Sequence, residues 1–179
     1  MPRFVALLRG VNVGKGNRVP MAAWRSLLEE LGYTDVATLL NSGNAVFSSS
    51  GRASAKHEPP IRASLRDSLG VDVAVIVKSA AELVAAQKEN PIRVQGTEAS
   101  RLLVGFASDP ASLSALKDLA PLAKSPERMH VGRHALFLWC PNGALQSDAG
   151  KLLLGRRGRE ITTRNWATLG KLVALVGEH

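Results

Sequence analysis

Several kinds of residue and segment are scarce in this chain of 179 residues. Its single cysteine, Cys140, excludes an internal disulfide and a cysteine-based metal site, and agrees with a reducing compartment. Aromatic residues make up only 4% of the sequence, which leaves few side chains to stack on nucleic-acid bases. No apolar run approaches the roughly 20 residues that a membrane-spanning helix needs, and the N-terminus lacks the hydrophobic length of a secretory signal. These absences predict a cytoplasmic protein that does not cross a membrane.

Metal ligands and acidic residues are also few. His130 and His134 flank a predicted turn without an evident third ligand, so we expect no metal site and no cofactor. Cys140 ends an apolar run, where a small buried thiol is the expected role. Lysine and arginine number 23 against 15 acidic residues, a formal charge of +8 that favours anionic small molecules or nucleic acid as partners. A solvated basic surface without a partner is the alternative, and the oligomeric state is left open.

The stretch from Arg9 to Arg18, RGVNVGKGNR, combines three glycines with three positive charges and contains no acidic residue. It follows the apolar run Phe4 to Leu8, typical of a buried strand, and precedes a helix predicted to begin near Pro20. Amide groups and the positive end of the helix dipole meet at such a junction, so the loop is a candidate anion site. The alternative is a mobile surface loop whose glycines only permit a turn.

A comparison with the Walker-type phosphate loop argues against a nucleotide triphosphatase. Gly10 and Gly14 bracket only three residues, and Gly16 follows Lys15 where the motif requires a hydroxyl for magnesium. The loop therefore predicts anion binding without predicting that reaction.

The order of elements predicts two similar halves. In residues 1–90, strands at 4–8, 36–40, 45–48 and 71–77 alternate with helices near 20–31 and 60–69, which is the split β-α-β-β-α-β unit with its first and third strands central. A connecting helix follows at 79–89. In residues 91–179, strands at 101–107, 128–131 and 134–140 with helices near 110–122, 148–154 and 165–176 give β-α-β-β-α-α, without an evident last strand. The predicted fold class is α+β, with two ferredoxin-like halves that share a cleft.

Four short motifs occur in order along the chain: Leu8–Gly14, Asn41–Asn44, Pro141–Gly143 and Thr162–Trp166. With this order and spacing the sequence resembles DUF1697, a bacterial family of uncharacterised proteins, over nearly the whole chain. The resemblance implies two subdomains with ferredoxin-like halves. It implies no established activity, substrate or catalytic residue.

Three of these motifs are rich in residues that offer amide and guanidinium donors to phosphate or carboxylate. We predict that they line one cleft, in which the cations hold an anion and the asparagines orient a neutral part of the ligand. The predicted ligand-binding residues are Arg9, Gly10, Asn12, Gly14, Lys15, Asn41, Asn44, Arg164 and Asn165.

Each residue has a simpler alternative explanation. Asn41 and Asn44 are typical of a hairpin turn, Asn165 of a helix cap, and Arg164 of a surface ion pair. The tryptophans Trp24, Trp139 and Trp166 lie on apolar stripes and are expected in the core rather than as stacking platforms.

Three functions are consistent with these observations. The first is binding of a phosphorylated small molecule or nucleotide. The second is RNA or DNA binding through a basic surface, although Phe47 is the only aromatic residue on the predicted third strand, where an RNA-recognition motif has several. The third is a transferase-type enzyme that stabilises phosphate charge with arginine and lysine, for which no catalytic residue can be chosen.

Overall fold

The computed structural model describes residues 1–51 and 53–177. Contacts between residues divide the chain into two compact units, Met1–Ala81 with the C-terminal residues from Leu172, and Glu82–Lys171. The predicted limits of the two ferredoxin-like subdomains, 1–90 with the connecting helix and 91–179 with the C-terminal helix, stay a prediction.

The first unit follows the predicted order of elements closely. A short 3₁₀ turn, Ser54–His57, precedes its second helix. The elements are β1 (Arg3–Leu8), α1 (Met21–Glu30), β2 (Thr34–Leu39), β3 (Asn44–Ser48), α2 (Glu58–Leu69) and β4 (Val75–Ser79).

The helix α3 (Ala80–Glu89) leads on to the second sheet, and short 3₁₀ helices occupy residues 96–101, 117–122, 144–146 and 156–158. The remaining elements are β5 (Leu102–Ala107), α4 (Pro110–Ser114), β6 (Arg128–Val131), β7 (Leu136–Trp139), α5 (Asp148–Leu154), β8 (Ile161–Asn165) and α6 (Trp166–Gly177).

Both sheets have four antiparallel strands and the same topology. Their strand orders are β2-β3-β1-β4 and β6-β7-β5-β8, so the first and third strands of each half are central. This arrangement confirms the predicted α+β class with two ferredoxin-like halves.

The core of the first unit lies between one face of its sheet and the helices α1 and α2. Alternate residues of β1, Phe4, Ala6 and Leu8, belong to this core, as the period of two in a strand requires. The predicted stripe on α1 is confirmed at Trp24, which is 0% exposed, and the stripe on α2 at Ile61 and Leu65. Gly70, in the left-handed conformation at φ 65°, ends α2 as predicted.

A polar pair lies inside this aromatic core. The Tyr33 hydroxyl and His57 Nδ1 are 3.0 Å apart, and the His57 ring is 4.6 Å from the ring of Phe4 and 5.5 Å from that of Phe47. The bond allows polar atoms to be buried at the end of the sheet where β1 begins.

The second core contains Leu113, Leu136, Leu138, Leu153 and Ile161, together with the predicted buried thiol of Cys140. Glu89 holds the turn before β7, because its Oε1 accepts hydrogen bonds from the amides of His134 at 2.9 Å and Ala135 at 2.8 Å.

The expectation that the second half lacks a last strand is wrong. Residues Ile161–Asn165 form β8, which pairs with β5 in the register Gly105 to Thr163, so this half is also β-α-β-β-α-β. Its run of Ile161, Thr162 and Thr163 is β-branched and favours a strand, but threonine and asparagine are equally typical of helix caps. Pairing with a distant strand resolved the ambiguity.

Two further predicted elements are shorter than expected. The strand predicted at 71–77 begins only at Val75, because Val75 pairs with Leu8, the last residue of β1, and the preceding residues have no strand beside them. The helix predicted at 110–122 ends as an α-helix at Ser114, and Pro121, which has no amide hydrogen, lies in a 3₁₀ segment.

Candidate functional site

The basic loop, defined here as residues Arg9 to Val19, leaves the end of the central strand β1. The amide of Leu8 donates to the carbonyl oxygen of Gly43 at 3.0 Å, and the amide of Arg9 donates to that of Ala74 at 3.0 Å. The start of the loop is therefore held between the β2–β3 hairpin turn and the segment that precedes β4.

Asn12 cross-links the basic loop. Its own backbone is left-handed, at φ 56°, and its amide donates to Asn17 O at 3.1 Å. Its side chain accepts from Val19 N at 2.9 Å and donates to Val19 O at 2.9 Å and to Asn41 O at 2.8 Å. One carboxamide thus closes the loop on itself and attaches it to the hairpin turn.

Glycine is required where the hairpin approaches the loop. Gly43 has φ +83°, and a Cβ atom at this position would lie 2.7 Å from Val11 Cγ2 and 2.8 Å from Leu8 Cβ. Gly10 and Gly14, at φ 61° and 62°, are left-handed but have open space around them. Close packing below the loop therefore depends on Gly43.

Three cations belong to the basic loop. Arg9 is half-buried, and desolvation by burial lowers the pKa of its guanidinium. Arg18 is exposed and donates from Nη2 to Gly14 O at 2.7 Å, which leaves other guanidinium N–H donors for a ligand. Lys15 is exposed and makes no hydrogen bond or ion pair with any residue in the described part of the chain.

Acidic residues are absent from the basic loop and from the hairpin turn, and one, Asp72, lies in the segment before β4 that meets the loop. The sequence has none between Arg9 and Glu29 and none between Asp35 and Glu58, a span that includes the hairpin turn. Asp72, in the segment before β4, accepts a hydrogen bond of 2.7 Å from Arg62, which holds the pKa of that carboxyl below its usual value. The local charge of the loop is therefore positive.

The hairpin asparagines have structural roles. Asn44 is 0% exposed, and its Nδ2 donates to Leu39 O at 2.8 Å and to Ser42 Oγ at 2.9 Å. Asn41 is exposed and receives the Asn12 side chain through its backbone oxygen. These bonds favour the turn explanation for both residues, and their contact with a ligand stays a prediction.

The other two predicted residues lie in the second unit, on β8. Arg164 is 8% exposed, and its Nη1 donates to Thr162 Oγ1 at 2.8 Å and to Thr163 O at 2.7 Å. Burial lowers its pKa to about 10. Asn165 Oδ1 accepts from Thr168 N at 2.8 Å, the bond of a helix cap at the start of α6.

The structure thus brings together the predicted residues of the first unit. Arg9, Asn12 and Lys15 lie on one loop, which is bonded to the turn that carries Asn41. A cleft shared with Arg164 and Asn165 stays a prediction.

Sequence reasoning missed two features of the site. Arg18 lies inside the recognised basic stretch but was not selected, although its charge was a sufficient signal. Leu40 was assigned to a strand, whereas β2 ends at Leu39 and Leu40 is left-handed at φ 58°. No sequence pattern predicts a leucine with a left-handed backbone.

A pocket of about 220 Å³ lies elsewhere in the first unit. Ser49 and Ser50, which follow the far end of β3, contribute to its wall. Its lining residues are Leu31, Gly32, Tyr33, Ser49, Ser50 and Pro60. Among the described residues, its lining includes no charged side chain and no predicted site residue.

Within residues 1–51 and 53–177, no helix is long and apolar enough to cross a membrane. The same ranges contain no group of three or more His, Cys, Asp and Glu side chains placed to hold a metal ion.

Comparison with known proteins agrees with the fold. A family model described as "Protein of unknown function (DUF1697)" matches residues 1–137. The chain belongs to the DUF1697 family. Its structure is similar to that of the conserved bacterial protein SP0830 from Streptococcus pneumoniae, with a TM-score of 0.79 and 23% identity over 98% of each chain. At this identity the likeness establishes the fold alone. No curated protein matches the sequence.

Proposed function

We propose that this DUF1697 protein binds a phosphorylated small molecule or nucleotide at the basic loop. The observation that carries the proposal is Lys15, an exposed cation with no partner in the described part of the chain, on a loop without acidic residues. A lysine that serves only folding or solubility does not need to lie on a loop whose conformation is fixed. Here the loop is cross-linked by Asn12.

The fixed loop supports anion binding energetically. Binding a charged ligand is weakened by the entropy lost when a mobile loop becomes ordered. The hydrogen bonds between Asn12, Val19 and Asn41 restrict this loop before any ligand arrives. Lys15 then supplies a point charge, Arg18 supplies a planar fork of donors, and both suit the oxygens of a phosphate group.

The adjacent helix adds backbone donors. Pro20 precedes α1, no side chain caps the helix, and its first turn has no acidic residue. Amides of a first turn have no acceptor within the helix and carry partial positive charge. They support the cations of the loop and do not define the site by themselves.

The test is a thermal unfolding series with nucleotides, sugar phosphates and phosphorylated cofactors. A ligand at 100 times its Kd stabilises the folded state by about 2.7 kcal/mol, which raises the midpoint of a chain of this size by roughly 5–10 °C. Lys15→Ala should abolish the rise.

Lys56→Ala is the matched control for this series. Lys56 is also exposed, and it precedes His57, whose ring contacts Phe4 at the opposite end of β1 from the basic loop. The Lys56→Ala variant removes the same charge as Lys15→Ala. It should leave the ligand-induced rise of the unfolding midpoint unchanged. No shift with any compound, or the same shift in Lys15→Ala, would contradict the proposal.

The second candidate function is RNA or DNA binding through the second unit. The observation that favours it is a group of exposed cations on and just after α5, whose side chains have no partner in the described ranges: Lys151, Arg156 and Arg159. If the second unit binds nucleic acid, retention of the protein on RNA should fall steeply as the salt concentration rises. Replacing all three by alanine should reduce the slope of log K against log salt by about 3, since each cation that neutralises a phosphate adds about one to that slope. Transfer of a bound phosphate group, the enzymatic alternative, stays a prediction.

A further inference from the structure

Two exposed apolar side chains occur on the basic loop and on the hairpin turn that is bonded to it. Val13, on the loop, is 73% exposed, and Leu40, at the start of the hairpin turn, is 49% exposed. Their sequence neighbours Asn12 and Asn41 are joined by the 2.8 Å hydrogen bond described above, so the two segments that carry them are in contact. Single exposed apolar residues are ordinary on protein surfaces. Here two of them occur on contacting segments, one of which carries Lys15.

The backbone of Leu40 gives this arrangement a second unusual feature. Its φ of 58° is left-handed, a region that glycine or asparagine enters routinely and that costs other residues about 1–2 kcal/mol. A leucine in a turn can recover such a cost by burying its side chain, but about half of this side chain is exposed. Residues kept in disfavoured conformations tend to occur at binding sites, where a ligand uses the exposed group.

We propose that the ligand of the basic loop carries an apolar body directly attached to its phosphate group. Val13 and Leu40 pack against that body, while Lys15 and Arg18 hold the phosphate. The inference rests on the proposed function and adds the substrate class: an organic phosphate ester with a ring or hydrocarbon next to the phosphate, rather than inorganic phosphate or a heavily hydroxylated sugar phosphate. A hydroxylated body would gain little from contact with two aliphatic side chains.

The test compares inorganic phosphate with phenyl phosphate as probes, at constant ionic strength and at a pH where both are dianions. Binding to the full chain is measured by NMR titration of its amide signals. Burial of an aromatic ring against Val13 and Leu40 should make phenyl phosphate bind about tenfold more tightly.

Leu40→Gly separates ligand contact from structure. Glycine adopts φ 58° without strain, so the variant should unfold at the same temperature as the wild type or higher. It should bind inorganic phosphate like the wild type and lose most of the preference for phenyl phosphate. Val13→Ser provides a second variant on the other segment with the same expected loss. Leu145→Gly, which removes a leucine that is 70% exposed in the second unit, should retain the preference.

The outcomes distinguish the two proposals. If both probes bind equally and both respond to Lys15→Ala, the basic loop binds anions and the apolar substrate class is wrong. The class is also wrong if Leu40→Gly and Val13→Ser keep the full preference, or if Leu145→Gly loses it. If neither probe binds, the apolar substrate class is overturned, whereas the proposed function is overturned only if no nucleotide, sugar phosphate or phosphorylated cofactor raises the unfolding midpoint.

Discussion

Asn12 Nδ2 donates a hydrogen bond to the backbone oxygen of Asn41 at 2.8 Å, and so joins two turns that are 29 residues apart in sequence. The same carboxamide also bonds both backbone groups of Val19. The conformation of the basic loop therefore depends on one side chain.

Replacing Asn12 by glycine should destabilise the protein. Glycine keeps the left-handed backbone of this position but removes the bonds to Val19 and Asn41, and each such bond contributes about 1 kcal/mol net. We expect the free energy of unfolding, measured in urea, to fall by about 2–3 kcal/mol. Asn12→Asp keeps the acceptor for Val19 N but loses the donors to Val19 O and Asn41 O and turns a carboxylate oxygen toward both, so its loss should be at least as large. A glycine variant as stable as the wild type would show that the loop is not held by this residue.

Alanine at Gly43 should be far more damaging than alanine at Gly14. Both glycines are left-handed, at φ 83° and 62°, so each substitution introduces backbone strain of about 1 kcal/mol. At Gly43 the new methyl group would also overlap Val11 Cγ2 at 2.7 Å and Leu8 Cβ at 2.8 Å, whereas at Gly14 it meets nothing within 4 Å. Thermal and urea unfolding should show an additional loss of about 2 kcal/mol for Gly43→Ala. Equal losses at the two positions would mean that the close packing is relieved at little cost.

Cys140 should react very slowly with thiol-specific reagents in the folded protein. The side chain is buried, and that burial raises the pKa of its thiol despite a hydrogen bond with Ser147. Thiol-specific reagents at about pH 8 should modify it at least about 100-fold more slowly than in the urea-unfolded chain.

The same thiol should make stability fall at alkaline pH. As the pH rises through the usual thiol pKa of about 8.5, the unfolded chain releases the proton while the folded chain keeps it, so unfolding becomes more favourable. Urea unfolding between about pH 7 and pH 9.5 should show this decline in the wild type and a smaller one in Cys140→Ala. Equal declines would indicate that other groups account for it.

The ion pair between Arg157 and Asp118 should contribute to stability only above the acid range. Arg157 Nη2 lies 2.7 Å from Asp118 Oδ1 and Nη1 lies 3.0 Å from Oδ2, and this bidentate bond lowers the pKa of the carboxyl. The stabilisation is present above the pKa of the unfolded aspartate and is lost as the pH falls through the lower folded pKa. Asp118→Asn should therefore lower the thermal midpoint slightly at pH 7 and by progressively less as the pH falls below about 4.

High salt should reduce the effect of Asp118→Asn, because both side chains are in contact with solvent. Asp67→Asn is a suitable control, since Asp67 meets Arg66 only at 3.5 Å and is 73% exposed. A difference for Asp118→Asn that persists unchanged in acid and in salt would point to packing rather than charge.

The helices were predictable where their apolar residues repeat within one turn. Trp24, Leu27 and Leu28 mark the buried face of α1, and Ile61 and Leu65 that of α2, because helical periodicity is a local property of the sequence. The strand β8 was not predictable in this way. Its buried residues include Thr162 and Arg164, which are polar and carry no hydrophobic signal.

The candidate site was likewise predictable from the sequence only in part. Glycines and cations between Arg9 and Arg18 are visible in the sequence, so the presence of a basic loop after β1 could be stated in advance. The fixed shape of the loop could not be predicted, because the bond from Asn12 to Asn41 joins residues 29 positions apart.

Local order along the chain is enough to specify the first split α+β half, all of the second except its last strand, their apolar helix faces and a positively charged turn after the first strand. Each of these properties depends on residues within a few positions of one another. The attachment of the loop to the hairpin and the left-handed backbone of Leu40 arise only when distant segments pack together. Hydrogen bonds and close contacts between such segments have no counterpart in the periodicity of either one.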